Sequence, residues 1–245
     1  ALKQVLGTIP EESRNSLSFS KFENTDVIVA RTGYTGEQIC FEIFIKNEKA
    51  VNLWETILDK GKTIVPVGLG ARDSLRLEAG LPLYGHEFGL DKNKNEIPIF
   101  AVALAKFAVS FSENKGDFIG KAALENQFKE FSENKIGKFL PKKIRSIKIY
   151  GIGAVRQGDP VFLDDKQVGE ITSGSMISYW QFEKSENDEY KITEKKGKKS
   201  ICLAYINANI IEGNAVQIKS NTRTMKGEVV KSFISRKPFP YVRAL

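Results

Sequence analysis

The sequence has little of the material from which metal sites and disulfide frameworks are built. Its 245 residues include two cysteines, Cys40 and Cys202, and a single histidine, His86. These three residues cannot supply a CxxC pair, a multi-histidine zinc site or a set of disulfides. We therefore expect no metal site, and the low cysteine content favours a reducing compartment.

Long apolar runs and nucleotide-binding loops are also missing. The stretch 97–109 is broken by Lys106 and is too short to cross a bilayer, which excludes a membrane protein. No lysine follows a GxxxxG pattern and no GxGxxG opens a predicted helix, so a phosphate-binding loop is unsupported. His86 has no spaced partner that would activate a nucleophile, and we interpret it as an ordinary surface or loop residue.

The composition that remains is that of a folded, basic protein. Hydrophobic residues make up 41% of the chain and aromatic residues 10%, which is enough for a packed core. Lysine and arginine number 37 against 30 aspartates and glutamates, giving a formal charge of +7. This charge leaves nucleic acid, a polyanionic ligand or an acidic protein as partners. The aromatic residues are not interleaved with the lysines as a base-stacking surface requires, so nucleic acid is the weaker alternative.

Hydrophobic periodicity predicts an α+β protein. Two short strands around a turn are expected over 26–45, and helices are expected over 48–60, 70–79 and 119–131. In the first helix, the spacing predicts an inward face formed by Val51, Trp54, Ile57 and Leu58. From about residue 144, short strands separated by turns predict a small all-β, barrel-like domain, and 183–200 reads as an exposed loop or long hairpin tip. We place the domain boundary between 1–138 and 139–245, next to Pro141 and its neighbouring lysines.

Two motifs carry the most information. Segment 31–37 reads RTGYTGE, and segment 68–85 reads GLGARDSLRLEAGLPLYG. Together they resemble the signatures of the aminomethyltransferase of the glycine cleavage system, its T-protein. Weaker agreement comes from DFIGK at 117–121, VGEITSG at 168–174 and KPF at 237–239. The resemblance covers the chain from about residue 26 to its end.

The resemblance implies a function and its partners. Members of this family transfer the methylene of a lipoyl-bound aminomethyl group to tetrahydrofolate and release ammonia. The implied ligand is tetrahydrofolate, held by an antiparallel-sheet portion at 1–138. The implied partner is an acidic lipoyl-carrier protein of the H-protein type, with no role for nucleic acid or membrane. The implied location is the cytoplasm, or the mitochondrial matrix in a eukaryote.

Motif position assigns four residues to the folate. Glu42 resembles the folate-binding glutamate, Arg72 the arginine of the second motif, and Tyr34 the tyrosine of the glycine-rich turn, while Tyr84 is a further candidate. A carboxylate suits a pterin because it accepts hydrogen bonds from two adjacent N–H donors. An arginine suits anionic or carbonyl groups, and a tyrosine offers an aromatic face with a polar tip.

Each assignment has a plainer structural alternative. Glu42 alternates with Phe41 and Ile43 and could be only an exposed strand residue. Arg72 could form a surface ion pair with Asp73, and Tyr34 could pack under its own turn. The lysine clusters at 142–148 and 195–199 could be solvated faces or could dock an acidic carrier or a polyglutamate tail.

Three departures from the family pattern qualify the resemblance. The family has a glycine two residues before its glutamate, whereas Cys40 stands there and the turn through Gln38 and Ile39 is one residue longer. The apolar segment 97–104 replaces a more polar one, and Phe107 stands where a tryptophan is usual. The catalytic aspartate lies in an N-terminal part to which nothing here corresponds, so no residue is assigned as catalytic and we expect the isolated chain to be inactive.

Two relatives of the same superfamily remain as alternatives. One is a non-catalytic folate-binding protein, which typically carries a KGCxxGQE-type turn that segment 31–37 lacks. The other is a folate-dependent demethylase, against which the ARD sequence at 71–73 favours the glycine system.

Overall fold

The computed structural model describes residues 1–13, 15–37, 39–151, 153–184, 190–220 and 223–233. Two compact units are formed by residues 1–76 and 77–245. Four α-helices and nine strands are present among the described residues, and several short 3₁₀ turns join them. The domain boundary at residue 138 stays a prediction.

The first unit is built on a three-stranded antiparallel sheet. Its strands β1 (Leu17–Phe22), β2 (Thr25–Ala30) and β3 (Glu42–Phe44) lie in the order β1-β2-β3. Helices α1 (Leu2–Leu6) and α2 (Asn47–Lys60) belong to the same unit. One core joins the inner face of the sheet to both helices, and its buried members are Leu6, Phe22, Val27, Val29 and Leu53.

The turn between β1 and β2 is also tied to α2. Glu23 and Asn24 both have positive φ, at 51° and 59°, which matches the right-handed twist of a two-residue hairpin. The Glu23 carboxylate accepts hydrogen bonds from Lys49 Nζ (2.7 Å) and Asn52 Nδ2 (2.8 Å) of α2. These contacts lower the pKa of Glu23.

Only part of the face that the spacing predicts on helix α2 turns inward. Leu53 is buried and Ile57 packs against the core, but Val51 is 67% exposed and Trp54 is 53% exposed. The helix ends at Gly61, whose N–H donates to Ile57 O (2.9 Å). Helix α3 follows at Leu69–Glu78.

The second unit contains a closed six-stranded antiparallel barrel. Its strands are β4 (Lys142–Tyr150), β5 (Pro160–Leu163), β6 (Lys166–Lys184), β7 (Tyr190–Asn207), β8 (Ala215–Lys219) and β9 (Thr224–Val230). They lie in the order β4-β7-β6-β5-β8-β9, and β4 pairs with β9 to close the sheet. The interior is filled by apolar side chains such as Ile147, Ile149, Val161, Ile206 and Ile218. The α+β class with a barrel in the C-terminal part is therefore confirmed.

An aromatic layer packs against this barrel. Phe100 is fully buried and contacts Phe111 and Phe128, and the last of these lies on helix α4 (Lys121–Ser132). The same cluster includes Leu140 and Tyr205 of the barrel side. Segment 183–200, predicted as a loop or long hairpin tip, belongs largely to the arms of the β6–β7 hairpin. None of the helices that the structure describes is both long enough and apolar enough to span a membrane.

Candidate functional site

The glycine-rich turn folds back on the segment that precedes Glu42. A Cβ atom placed on Gly33 would collide with both Sγ and Cβ of Cys40, so only glycine leaves room for that side chain. The Arg31 guanidinium lies 5.8 Å from the centre of the Phe41 ring. Cys40 thus occupies the space next to Gly33. In the family pattern, a glycine stands at the position of Cys40. Gln38, part of the same departure, lies outside the described residues.

The structure brings Tyr34 and Arg72 together. The Arg72 guanidinium carbon lies 4.8 Å from the centre of the Tyr34 ring, within the range of a cation–π contact. Tyr34 comes from the first sequence motif and Arg72 from the second, on α3. Arg72 is exposed, so its remaining N–H donors are available to an anionic or carbonyl group.

Arg72 does not pair with Asp73 in this arrangement. Asp73 instead accepts from Nη2 (2.7 Å) and Nε (2.8 Å) of Arg76, whose side chain is 1% exposed. Arg76 therefore serves α3 as a buried structural residue, and Arg72 is left to face Tyr34. Asp73 therefore forms its ion pair with Arg76, one helical turn further along α3, and not with Arg72.

Glu42 lies on the outer face of the three-stranded sheet. It is exposed at the start of β3, and it stands directly opposite Ala30. Phe41 and Ile43 point to the other face and pack into the core. The strand alternation predicted around Glu42 is present, and its carboxylate is open to a ligand or partner from the solvent side.

Tyr84 lies in a tight loop of the second unit and is 89% exposed. Gly85 has a φ of 88°, and its N–H donates to Phe88 O (2.7 Å). A Cβ on Gly89 would approach the Gly85 backbone to 3.0 Å, so the loop closes on itself through two glycines.

A buried carboxylate that the sequence did not single out anchors this loop to the barrel. Glu87 is 0% exposed, and its Oε1 accepts hydrogen bonds from Thr172 Oγ1 (2.6 Å) and Ser173 Oγ (2.7 Å). Its Oε2 accepts from the N–H of Leu83 (2.9 Å). His86 Nδ1 lies 2.9 Å from Thr172 O, and because a carbonyl only accepts, Nδ1 carries the proton. Hydrogen bonds therefore join the LYGHE segment at 83–87 to the VGEITSG segment at 168–174 of β6.

Lysines of the two clusters at 142–148 and 195–199 lie next to each other, but the clusters do not form one uniform patch. Lys199 of β7 lies beside Lys148 of β4, and burial together with Lys148 lowers the pKa of Lys199 to about 8. Lys142 instead lies over the Tyr205 ring (5.4 Å), and Lys143 donates to Asn134 (3.0 Å). Burial, with a smaller effect of Asp91, raises the pKa of Tyr205 to about 12.

The described ranges contain no group of three or more histidine, cysteine, aspartate or glutamate side chains able to hold a metal ion. Cys202 is fully buried in the barrel, and burial raises the pKa of its thiol, which makes it an inert core residue. The KPF segment at 237–239 lies outside the described residues.

Comparison with known proteins identifies relatives over most of the chain. Residues 13–106 match the family described as the GCVT N-terminal domain. The aminomethyltransferase of Caldanaerobacter subterraneus subsp. tengcongensis is 34% identical over 96% of this chain and 56% of its own length. That of Bacillus cytotoxicus is 39% identical over 70% of this chain and 44% of its own length.

A solved structure agrees with these matches. The glycine cleavage system aminomethyltransferase T from Bartonella henselae superposes with a TM-score of 0.60 at 25% identity, over 84% of this chain and 48% of that one. The chain spans about half the length of the relatives it matches. The resemblance carried by the two motifs is thus confirmed: the chain is similar to aminomethyltransferases of the glycine cleavage system over about half of their length.

Proposed function

We propose that the chain is the folate-binding part of a tetrahydrofolate-dependent aminomethyltransferase of glycine cleavage. The observation that carries the proposal is the contact between Tyr34 and Arg72 at 4.8 Å, because it joins the two motifs on which the resemblance rests. Relatives of the chain that bear the name aminomethyltransferase support the same function.

The side chains on this unit suit the chemistry of the folate. Tyr34 offers an aromatic face, and the exposed Arg72 beside it offers donors to carbonyl or carboxylate groups of the ligand. Glu42 offers an exposed acceptor pair for the N–H edge of a pterin. Tyr84 remains a further candidate for contact with the folate.

In the proposed reaction, tetrahydrofolate accepts the methylene of a lipoyl-bound aminomethyl group. The C–S and C–N bonds of that group break and two C–N bonds to the folate form. The two folate N–H protons leave with the sulfur and with ammonia. The residues of this chain bind and orient the folate, which converts transfer into a reaction between positioned groups. A lipoyl-carrier protein with an acidic surface is the proposed donor, and the +7 charge of the chain favours such a partner.

Calorimetric titration with tetrahydrofolate under reducing conditions tests the proposal. The chain is expected to bind, and Arg72→Ala is expected to weaken binding at least tenfold, which corresponds to about 1.4 kcal/mol. Glu42→Gln is expected to weaken it as well, because an amide presents one acceptor where the carboxylate presents two.

The matched controls are Lys62→Gln for the arginine and Glu55→Gln for the glutamate, since both residues are exposed in the same unit. Neither control is expected to change the affinity. Absence of binding by the unaltered chain, or equal affinity for Arg72→Ala and Lys62→Gln, contradicts the proposal.

A further inference from the structure

A small cavity lies on the outer face of the barrel in the second unit. Its volume is about 190 Å³, and its polar lining residues are Lys92, Lys142, Gln167, Glu170 and Asn207. Glu170 of β6 stands opposite Tyr205 of β7, and Lys142 of β4 stands opposite Asn207 of β7. Tyr205 packs in the aromatic layer outside the barrel, and residues at alternate positions share its face. The space is named the Glu170 cavity below.

The Glu170 carboxylate is only half satisfied by the chain. Glu170 is 7% exposed, and its Oε1 accepts from the N–H of Lys92 (2.8 Å), which ties the loop at 91–95 to β6. Its Oε2 is buried, and no donor among the described residues reaches it. Buried carboxylate oxygens normally have a hydrogen-bond donor, because an unsatisfied one loses its hydration without compensation. The orphan oxygen therefore indicates a donor from outside the chain.

Glu87 shows the contrast. It is buried in the same unit, but both of its oxygens accept hydrogen bonds from the chain, so it needs nothing further. The last torsion of a glutamate side chain is broad, which allows a small rotation of the Glu170 carboxylate to bring Oε2 to the cavity wall. A donor group bound in the cavity is then within reach of the orphan oxygen.

The charges around the cavity define the group that fits there. Lys142 does not pair with Glu170, because its amine lies over the Tyr205 ring (5.4 Å). A ligand ammonium group would supply both the opposite charge and the N–H donors that Glu170 lacks. Lys92 and Lys142 in turn offer positive charge to an anionic group of the same ligand. The lining thus complements a molecule that carries one charge of each sign.

The size of the cavity excludes other classes of ligand. Sites for drug-sized ligands and cofactors have volumes of about 300–1,000 Å³, so a folate does not fit here. A bare metal ion is disfavoured as well, because one carboxylate is too few and two lysines repel it. The occupant is therefore a small organic molecule.

We propose that the Glu170 cavity binds a small zwitterionic amino acid. Its ammonium group donates to Glu170, and its carboxylate accepts from Lys92 and Lys142. Gln167 and Asn207 add amide groups that pair with either end of the ligand. None of the four residues proposed for the folate is among the described residues that line the cavity, so this inference does not rest on the proposed function.

Titration of the ¹⁵N-labelled chain with glycine, L-alanine and L-serine tests the proposal by nuclear magnetic resonance, without folate. The Lys92 amide is the reporter, because it donates to Glu170. We expect at least one of the three amino acids to shift its signal saturably, while the amide of Ile218 inside the barrel does not move. N-acetyl-L-alanine, which lacks the ammonium group, and ethylamine, which lacks the carboxylate, are expected to bind weaker by about tenfold or more.

Two pairs of variants separate the charges. Glu170→Gln keeps an acceptor for the Lys92 N–H but removes the negative charge, and it is expected to weaken amino acid binding by about tenfold or more. Its control is Glu212→Gln, at an exposed turn. Lys142→Gln is expected to weaken binding by about threefold or more, and the exposed Lys166→Gln of β6 is its control.

Three results overturn the proposal. One is the absence of a saturable shift with all three amino acids, which leaves water as the partner of Oε2. Another is equal affinity for L-alanine and N-acetyl-L-alanine. The third is equal affinity within either pair of variants. If Glu170→Gln does not give the spectrum of a folded barrel, the pair Lys142→Gln and Lys166→Gln decides alone.

Discussion

At the scale of single residues, the clearest example of a side chain with a defined structural role is the carboxylate of Glu87. It is completely buried and bonded to two hydroxyls of β6 and one backbone N–H of its own loop. The sequence does not predict its role, because its partners lie 85 and 86 residues away and no local pattern indicates such a contact. Its neighbour His86 stands out in the sequence only as the single histidine.

Removal of the Glu87 carboxylate tests this network. Glu87→Ala removes the Glu87 acceptor from the Leu83 N–H and the Ser173 hydroxyl, while the Thr172 hydroxyl keeps Leu203 O as an acceptor (3.1 Å). We expect a loss of about 2–4 kcal/mol in the free energy of unfolding, since each unsatisfied buried donor costs about 1–3 kcal/mol. Urea denaturation measures the loss, and Glu212→Ala, at an exposed turn, is the control. An equal stability for the two variants would show that the network contributes little.

At the scale of elements, the turn between β2 and β3 is set by one close approach. Gly33 faces Cys40 so closely that no Cβ fits, which explains the glycine without any unusual dihedral angle. The alternation of β3 and the existence of α2, α3 and the barrel strands were all predictable, because each depends on local periodicity. The inward face of α2 was not, because Leu53, rather than Val51 or Trp54, meets the core. The sequence shows four apolar positions on α2, but which of them face the core depends on how the helix packs on the sheet.

A pair of substitutions in this turn follows from the contact. Gly33→Ala is expected to destabilise the first unit by about 1–3 kcal/mol, the usual cost of forcing extra atoms into a filled site. Adding Cys40→Gly is expected to restore most of the stability, because both colliding atoms are then gone. Cys40→Ala is expected to restore less, since its Cβ still collides. Thermal unfolding of the unaltered chain, Gly33→Ala, Cys40→Gly and the two double variants measures the coupling, and additive effects of Gly33→Ala and Cys40→Gly would contradict the contact.

At the scale of the whole molecule, Lys199 makes stability depend on pH. Its pKa is about 8 in the folded chain, below the ordinary 10.5, because burial and Lys148 disfavour the charged form. Between these two values the unfolded chain binds more protons, so this group makes stability rise with pH. Below about pH 8 the lysine is protonated in both states, and its unfavourable contribution is then constant.

Urea unfolding from pH 7 to about pH 9.5 measures this slope. We expect the stability of Lys199→Gln to rise less with pH than that of the unaltered chain, while the exposed Lys198→Gln keeps the original slope. The range stops there because Tyr205, with a folded pKa of about 12 against an ordinary 10.0, contributes the opposite slope above pH 10. Identical slopes for the two lysine variants would show that Lys199 is not the source.

The pairing of β4 with β9 has a consequence for synthesis. The barrel closes only when strand 142–150 meets strand 224–230, so its last seam joins segments that are separated by residues 151–223 of the sequence. On the ribosome, β4 to β8 emerge with this seam open, and the nascent barrel keeps two unpaired edges until β9 is released. Long-range pairings of this kind fold slowly and leave strand edges available to other chains. Synthesis of this protein therefore has a late, vulnerable interval, and a stop codon just before β9 would extend it indefinitely.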